Sequence, residues 1–421
     1  MSALGQQGAP VTPMKILFLA LEPPVPPNDG GRLRTASLLR QLSKEHEVSL
    51  IAFSAHQTVA DDLAIFSELC DTIELVPYPI VRRPTLRKRL RLLSLRQPVA
   101  IHYHYSHDMV ECLKRRIQTG RYEIVHFDQI YLYQYASAVG NLPKLANHHN
   151  IEAELQQRQL WHDRQRFRPS WWLKWVEYYL WNAFENRSLG WFDTHCVVSV
   201  RDADHIKRQA PGVPVVVVPN GVDTCGIQPR PEPDTSPVLV FVGSLDYQPN
   251  VDAISWFIER IWQNIKEAVP DTRFVIVGRN PPPKVMDLVQ LQGVTITGTV
   301  PSVRPFYEQA HVMVVPLRSG GGTRLKILEA MAAGVPVVST SVGCEGLDVT
   351  CGVDLLTSDS PDAFAERCVQ LLRDRDLRTN LAKHARQKVE ARYDWQSIAE
   401  NLVGAYHMAI DAYQERKSAR T

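Results

Sequence analysis

The segment at residues 319–340, SGGGTRLKILEAMAAGVPVVST, constrains the fold of this chain more than any other. A valine-rich apolar run at residues 311–317 precedes it and is typical of a buried parallel strand. Three glycines permit a tight turn, and apolar residues at helical spacing then continue until Gly334 and Pro336 end the helix. A second valine-rich run follows. The segment therefore predicts a strand, a turn, a helix and a strand of an open α/β fold.

The glycine turn and the first turn of this helix predict an anion site. Gly320, Gly321 and Gly322 allow backbone N–H groups to approach a ligand, and Thr323 is the predicted N-cap. The positive end of the helix dipole favours negative charge at this point. The alternative is an ordinary surface turn with incidental charges, which a glycine-rich turn alone does not exclude.

Three charged side chains on the helix favour a nucleotide over that alternative. Arg324 and Lys326 place cations where a helix usually carries acids, so we predict that both bind a diphosphate and act in catalysis. Glu329 lies one turn further along, where its carboxylate is predicted to bind the ribose diol. The segment fits neither the dinucleotide fingerprint GxGxxG nor the Walker turn.

These motifs resemble the nucleotide-sugar site of the glycosyltransferase family 4 enzymes, also called glycosyl transferases group 1. The likeness extends to four further segments in the order typical of that family, VVPNGVD at 217–223, VFVGSLDYQPNVDAISWF at 240–257, FVIVGRNP at 274–281 and YDWQSIAENLVGAY at 393–406. The resemblance is stronger in the C-terminal half. It implies an α/β fold of the GT-B type, in which two Rossmann-like domains face each other with a cleft between them, and it implies that Gly243 contributes to the donor site.

The chain departs from the family pattern at two places. Many members carry Glu-x7-Glu, but Gly321 stands eight positions before Glu329, so backbone N–H groups of the turn are expected to meet the sugar hydroxyls. Many members also place an Arg and a Lys in the segment equivalent to 243–250, which contains neither here. Arg324 and Lys326 are the predicted replacements.

The N-terminal half opens with an apolar strand pattern, MKILFLAL, followed by Gly30 and Gly31 before a helix predicted to start near Arg32. By resemblance, this turn faces the phosphate of the donor across the cleft. A simple tight turn between a strand and a helix is equally compatible with the sequence.

Two later strands, in RYEIVHFDQ and KLANHHNIE, end in polar residues, and the carboxyl ends of parallel strands border the ligand crevice in open α/β sheets. The candidates there are Asp128, His148, His149, Asn150 and Glu152. The HNIE segment resembles one that supplies a cleft histidine in the family, so His149 is the predicted catalytic residue of this half. A structural histidine is the alternative.

Composition excludes several other classes of protein. The formal net charge of +2 argues against a nucleic-acid-binding surface, and the seven cysteines show no metal-ligand spacing, so we predict no nucleic acid, no metal and no cofactor. No apolar run approaches the length of a membrane span, and residues 1–13 lack the apolar core of a signal peptide. These features predict a cytoplasmic protein.

The most basic stretch, from Arg82 to Arg96, reads RRPTLRKRLRLLSLR and carries leucines on one face of a predicted helix. It predicts a peripheral contact with an anionic membrane surface on the inner side of the membrane, and a solvated helix packed by its leucines is the alternative.

The aromatic segment at residues 169–187 is predicted to pack in the core, with an acceptor or lipid contact as the alternative.

The predicted domains are a tail at 1–13, a Rossmann-like acceptor domain at 14–230, a Rossmann-like nucleotide-sugar domain at 231–392 and a helical segment at 393–421 that crosses back to the first domain.

Residues and resemblance together predict a retaining, metal-independent glycosyltransferase that moves a sugar from a UDP- or GDP-linked donor to a hydroxyl of a glycan or lipid-linked glycan. Retention follows from the resemblance alone. The alternatives are a nucleotide-sugar epimerase or phosphorylase of the same fold, and a non-catalytic sugar-nucleotide binding protein.

Overall fold

The computed structural model describes residues 12–27, 29–54, 68–79, 96–165, 171–233, 235–320 and 324–419. The chain forms two compact units, the first made of Met1–Val218 with Ala399–Thr421 and the second of Pro219–Ile398. Several predicted features lie outside the described residues: most of the N-terminal tail, the basic stretch from Arg82 up to residue 95, and Gly321, Gly322 and Thr323 of the glycine turn.

The first unit contains a sheet of seven strands in the order β3-β2-β1-β4-β5-β6-β7, and all neighbouring strands are parallel. The strands are β1 (Lys15–Ala20), β2 (Glu47–Ser54), β3 (Thr72–Pro77), β4 (Ile124–Phe127), β5 (Lys144–His148), β6 (Thr194–Val197) and β7 (Val215–Val217). The inner strands are buried along almost their whole length, which explains why the sequence reads as continuous apolar runs there.

The helices of the first unit are α1 (Gly30–Leu42), α2 (Val99–Tyr103), α3 (His107–Gly120), a 3₁₀ helix (Ile130–Val139), α4 (Glu152–Gln165), α5 (Trp171–Leu189) and α6 (Val200–Gln209). Helix α5 contains the aromatic segment. Its Trp181 and Phe184 pack in the core, whereas Trp172 and Trp175 are exposed. None of the helices in the described part of the chain combines the length and the apolar character that a membrane crossing needs.

The second unit contains a sheet of six parallel strands in the order β10-β9-β8-β11-β12-β13. The strands are β8 (Val238–Val242), β9 (Arg273–Val277), β10 (Val294–Ile296), β11 (Val312–Val315), β12 (Val337–Ser339) and β13 (Leu356–Thr357). The helices are α7 (Gln248–Phe257), a π-helical turn (Ile258–Trp262), α8 (Gln263–Ala268), α9 (Pro283–Met286), a 3₁₀ turn (Asp287–Gln290), α10 (Arg304–Gln309), α11 (Leu325–Ala332), α12 (Pro361–Arg373) and α13 (Arg375–Arg392).

The last helix, α14 (Trp395–Ser418), belongs to the first unit from Ala399 onward. Tyr406 is fully buried, and its hydroxyl lies 2.9 Å from Nδ1 of His126. Nearer the end of the helix, the Tyr413 hydroxyl donates to the carbonyl oxygen of Asn141 at 2.7 Å. These contacts fix the chain's last helix to the first sheet.

Each sheet reverses its strand order at one place, and open α/β sheets bind ligands beside such a switch point. In the first unit the reversal lies between β1 and β4, and in the second it lies between β8 and β11. The loops that follow these four strands therefore contain the residues expected to contact a ligand.

Candidate functional site

The loop after β8 places Gly243 directly against Lys326 of α11. A β-carbon built on Gly243 would lie 2.5 Å from the Lys326 amine and 2.9 Å from Nδ2 of Asn250, so any larger residue would displace the lysine. The Lys326 amine donates to Oδ1 of Asn250 at 3.0 Å and lies 4.4 Å from the centre of the Phe241 ring. The loop and the helix therefore hold one ammonium group at the switch point of the second sheet.

This environment weakens the ammonium form of Lys326. Burial, and to a smaller extent the positive charge of Arg324, lower its pKa to about 7 against the opposing effect of the Glu329 carboxylate. An amine held between an amide oxygen and an aromatic ring lacks a full counter-charge. A bound anion would supply that charge and would raise the pKa again.

Arg324 occupies the position immediately before α11. The predicted N-cap, Thr323, is wrong by one residue, because the helix begins at Leu325 and Arg324 is the N-cap, without a side-chain capping bond. Instead, the buried guanidinium of Arg324 turns back and donates to the carbonyl oxygens of Gly320 at 3.1 Å and Val342 at 3.4 Å. The side chain thus ties the start of the glycine turn to the helix.

Gly320 has a φ of +115°, a conformation that residues with a side chain rarely adopt. A β-carbon there would lie 3.2 Å from the hydroxyl of Tyr247 and 3.5 Å from Nη1 of Arg324. Glycine is therefore favoured at this position chiefly by its backbone conformation, and the Tyr247 hydroxyl leaves little room for a side chain. The other residues of the turn, Gly321 and Gly322, lie outside the described residues.

Glu329 lies one turn along α11 from Lys326, and its carboxylate accepts a hydrogen bond from the Tyr307 hydroxyl at 3.1 Å. Burial raises the pKa of Glu329, while the Tyr307 hydroxyl and the Lys326 charge oppose the rise. Tyr307, on α10, and Asn250, on α7, had no signal in the sequence. Both come from elements distant in the chain that the sheet brings next to α11.

In the first unit, the turn after β1 lies beside the polar residues that follow β4 and β5. Gly30 and Gly31 form the first turn of α1 rather than preceding it, because Asp29 is the N-cap and its carboxylate accepts the Arg32 N–H at 3.0 Å. A β-carbon on Gly31 would lie 3.7 Å from Nδ1 of His149. The other ring nitrogen, Nε2, lies 3.1 Å from Oδ1 of Asp128.

The remaining candidates of this region have different environments. The ring of His148 is buried, and its Nε2 lies 2.9 Å from Nδ1 of His195, so His148 is part of the core. Asn150 is half-buried in the segment before α4. Glu152 begins α4, and burial raises the pKa of its carboxyl to about 7. Among the described residues, no group of three or more His, Cys, Asp or Glu side chains is arranged to hold a metal ion.

Comparisons with known proteins agree with this architecture. A family model described as glycosyl transferases group 1 matches residues 236–374, and one described as glycosyltransferase family 4 matches residues 29–225. A GDP-mannose-dependent alpha-(1-6)-phosphatidylinositol monomannoside mannosyltransferase of Mycobacterium tuberculosis is 29% identical over 46% of this chain and 55% of its own length. The matches span between 22% and 55% of the length of such curated relatives.

Two solved structures are similar along nearly the whole chain. Sucrose-phosphate synthase from Thermosynechococcus elongatus has a TM-score of 0.69 and 19% identity, covering 95% of this chain and 100% of that one. Anabaena HepE in complex with UDP and glucose has a TM-score of 0.62 and 14% identity, covering 93% and 98%. At these identities the likeness shows the fold, which is GT-B.

Proposed function

Since the chain belongs to the glycosyltransferases of family 4 and group 1, we propose that it transfers a sugar from a nucleoside diphosphate donor to a hydroxyl of a glycan or lipid-linked glycan. The mannosyltransferase relative is named for a GDP-linked donor, and HepE was solved with UDP. Either base therefore suits the proposal. Such a reaction is a step of polysaccharide or glycoconjugate biosynthesis.

The environment of Lys326 is the observation that carries the proposal. Its amine lies at the switch point of the second sheet beside Gly243, where a β-carbon would displace it, and Arg324 is the N-cap of the same helix. A nucleoside diphosphate leaving group develops negative charge, and fixed cations stabilise that charge without reorganisation. We therefore assign Arg324 and Lys326 to the diphosphate.

These two cations also support transfer without a metal ion, because they supply positive charge where the leaving group forms. Glu329, held by Tyr307, is assigned to the ribose diol. Gly30, Gly31, Gly243 and the glycine turn from Gly320 are assigned to close backbone approach of the donor. Retention of the anomeric configuration is proposed from the family alone.

His149 is assigned to a hydroxyl of the reacting sugars, since its ring lies at the carboxyl end of β5 beside the glycines of α1. For a lipid-linked acceptor, we further propose that the basic stretch from Arg82 to Arg96 adsorbs to an anionic membrane. The support for that contact is the sequence pattern of cations around a leucine face.

A two-stage assay tests the function. Thermal-shift screening against UDP, GDP, ADP and dTDP sugars first identifies the donor, and release of nucleoside diphosphate is then measured with and without hydroxyl acceptors in EDTA. The proposal expects release that depends on the acceptor. Conversion of the donor sugar without any acceptor would indicate an epimerase, phosphate-dependent release would indicate a phosphorylase, and binding without turnover on any acceptor would indicate a binding protein.

A further inference from the structure

Asp128 follows β4 at the switch point of the first sheet, and its carboxylate is almost completely buried. Oδ2 accepts the hydroxyl of Thr35 at 2.6 Å, and Oδ1 accepts the side-chain amide of Asn147 at 2.9 Å. Oδ1 also lies 3.1 Å from Nε2 of His149 and 3.5 Å from Nε2 of His126. These contacts satisfy the hydrogen-bonding capacity of the buried carboxylate and fix its position in this unit.

The surroundings keep Asp128 ionised. Burial alone would raise its pKa, but His149 and His126 outweigh this effect, and the pKa lies well below its usual value. The positive charge of Arg34 lies close enough to interact with Asp128, and its buried guanidinium donates to Oδ1 of Asn147 at 3.3 Å and to the carbonyl oxygen of Val218 at 2.8 Å. Burial lowers the Arg34 pKa to about 10, which leaves the group charged at neutral pH.

The protons around Asp128 can be placed one by one. The ring of His126 stacks on Phe18 with centres 4.0 Å apart, and burial lowers its pKa. Its Nε2 faces the carboxylate and therefore carries the proton. The hydroxyl of Tyr406 on α14 lies 2.9 Å from Nδ1 of His126, on the other side of the ring. Nε2 of His149 lies 3.1 Å from Oδ1 of Asp128, and because an ionised carboxylate only accepts hydrogen bonds, this nitrogen carries the proton between them.

We propose that Asp128 is a positioning residue for the transfer reaction, which holds His149 in the Nε2–H tautomer with Nδ1 as a hydrogen-bond acceptor beside Gly31. Nδ1 then accepts a hydrogen bond from a hydroxyl of the donor sugar or of the acceptor. This inference rests on the proposed function for the identity of the hydroxyl, but the tautomer does not depend on it.

Gly31 completes the arrangement. A β-carbon at this position would lie 3.7 Å from Nδ1, in van der Waals contact with the nitrogen. The glycine leaves Nδ1 accessible, and Asp128 decides that this nitrogen has a lone pair rather than a proton. Gly31 of α1 and Asp128 after β4 thus contact the two different nitrogens of one ring.

The parent protein provides the first test. Long-range ¹H–¹⁵N spectra of protein with ¹⁵N-labelled histidine distinguish the two tautomers, and the His149 signals are assigned by their absence in His149→Gln. We expect protonated Nε2 and unprotonated Nδ1. A neutral Nδ1–H ring in the parent would overturn the proposal, whether or not any transfer has been detected.

The second test changes the tautomer. The side-chain N–H of Asp128→Asn can donate a hydrogen bond to Nε2, so His149 should switch to the Nδ1–H form, and turnover should fall by about 100-fold or more with the donor KM within about threefold. Asp193→Asn is the matched control, because it alters another buried carboxylate of this unit, one that accepts the Lys144 N–H at 2.7 Å. That variant should keep the parent tautomer.

Retention of more than a third of the parent turnover in a folded Asp128→Asn protein would contradict the positioning role. The same switch of tautomer in Asp193→Asn would also contradict it, because the effect would then be a general consequence of loosening the unit. If the parent protein shows the expected tautomer but transfers no sugar, the proposed function is contradicted, while the effect of Asp128 on the His149 tautomer still holds.

Discussion

Replacing Lys326 by Met should separate donor binding from stability in the second unit. The substitution keeps an unbranched apolar stem but removes the amine that contacts Asn250 and Phe241. A charged hydrogen bond contributes about 1.5–3 kcal/mol, so affinity for the nucleoside diphosphate should fall by about 10- to 150-fold. The free protein should become more stable, because a poorly compensated buried amine is lost.

The size of the gain in stability follows from the pKa. The folded state lowers the Lys326 pKa from 10.5 to about 7, so between these values the unfolded chain binds more protons and stability rises with pH. The full penalty, present below pH 7, corresponds to about 5 kcal/mol at 1.36 kcal/mol per pKa unit. Because part of the side chain contacts solvent, we expect Lys326→Met to gain about 1–3 kcal/mol near pH 7.

Donor affinity should depend on pH in the parent for the same reason. Between pH 7 and pH 8.5 the ammonium fraction of a group with a pKa of about 7 falls from about one half to about 3%, so affinity should weaken by about 16-fold. Binding should take up about half a proton at pH 7 and nearly one at pH 8.5. Lys326→Met should bind weakly and equally at both pH values.

Isothermal titration calorimetry in buffers of different ionisation enthalpy measures both the affinity and the proton uptake. Lys266→Met is the matched control, because that amine donates to the carbonyl oxygens of Pro270 and Thr272. These two residues precede β9 at the amino-terminal end of the strands, whereas Gly243 lies beyond the carboxyl end of β8. It should bind the donor like the parent. Equal affinity in Lys326→Met, or a parent affinity independent of pH across this range, would refute the assignment.

Three further variants test the roles of Arg324, of Glu329 and of the basic stretch. Arg324→Ala should lower kcat/KM by about 30- to 1000-fold, through loss of about 2–4 kcal/mol of transition-state stabilisation, and steady-state activity within threefold of the parent would contradict this role. Glu329→Gln should weaken nucleoside diphosphate binding without unfolding the protein, and calorimetry showing unchanged affinity together with normal binding of the 2′-deoxy nucleotide would exclude the ribose contact. In liposome sedimentation, the parent should bind anionic vesicles at low salt and release them at high salt. A variant in which four basic residues are replaced by Gln should lose this binding but keep the nucleotide affinity of the parent: Arg87, Lys88, Arg89 and Arg91. Equal binding of the parent to neutral vesicles would count against the membrane contact.

The order of strands and helices could be predicted from the sequence because buried parallel strands leave continuous apolar runs. The strand, turn, helix and strand predicted at residues 311–340 are β11, α11 and β12 with the turn between them. The adjacent histidines show the limit of that logic. His148 ends β5 and lies in the core beside His195, whereas His149 just beyond it faces Gly31.

Partners that lie far apart in the chain could not be predicted, because periodicity assigns a residue to a face but not to a neighbour. Lys326 and Asn250 are 76 positions apart, and Tyr406 and His126 are 280 apart. Arg324 and Lys326 could be recognised from the sequence as unusual, because they are cations at the N-terminus of a helix. Their depressed or raised pKa values depend on burial and on groups brought in by the sheet, which the pattern does not contain.

The most direct test of the central claim follows the anomeric proton of the product by NMR during transfer in EDTA, with the donor identified by thermal shift. We expect a new glycosidic linkage with the same anomeric configuration as the donor, formed without added metal and in step with release of the nucleoside diphosphate. A product of inverted configuration, or turnover that appears only when a divalent metal is added back, would contradict it.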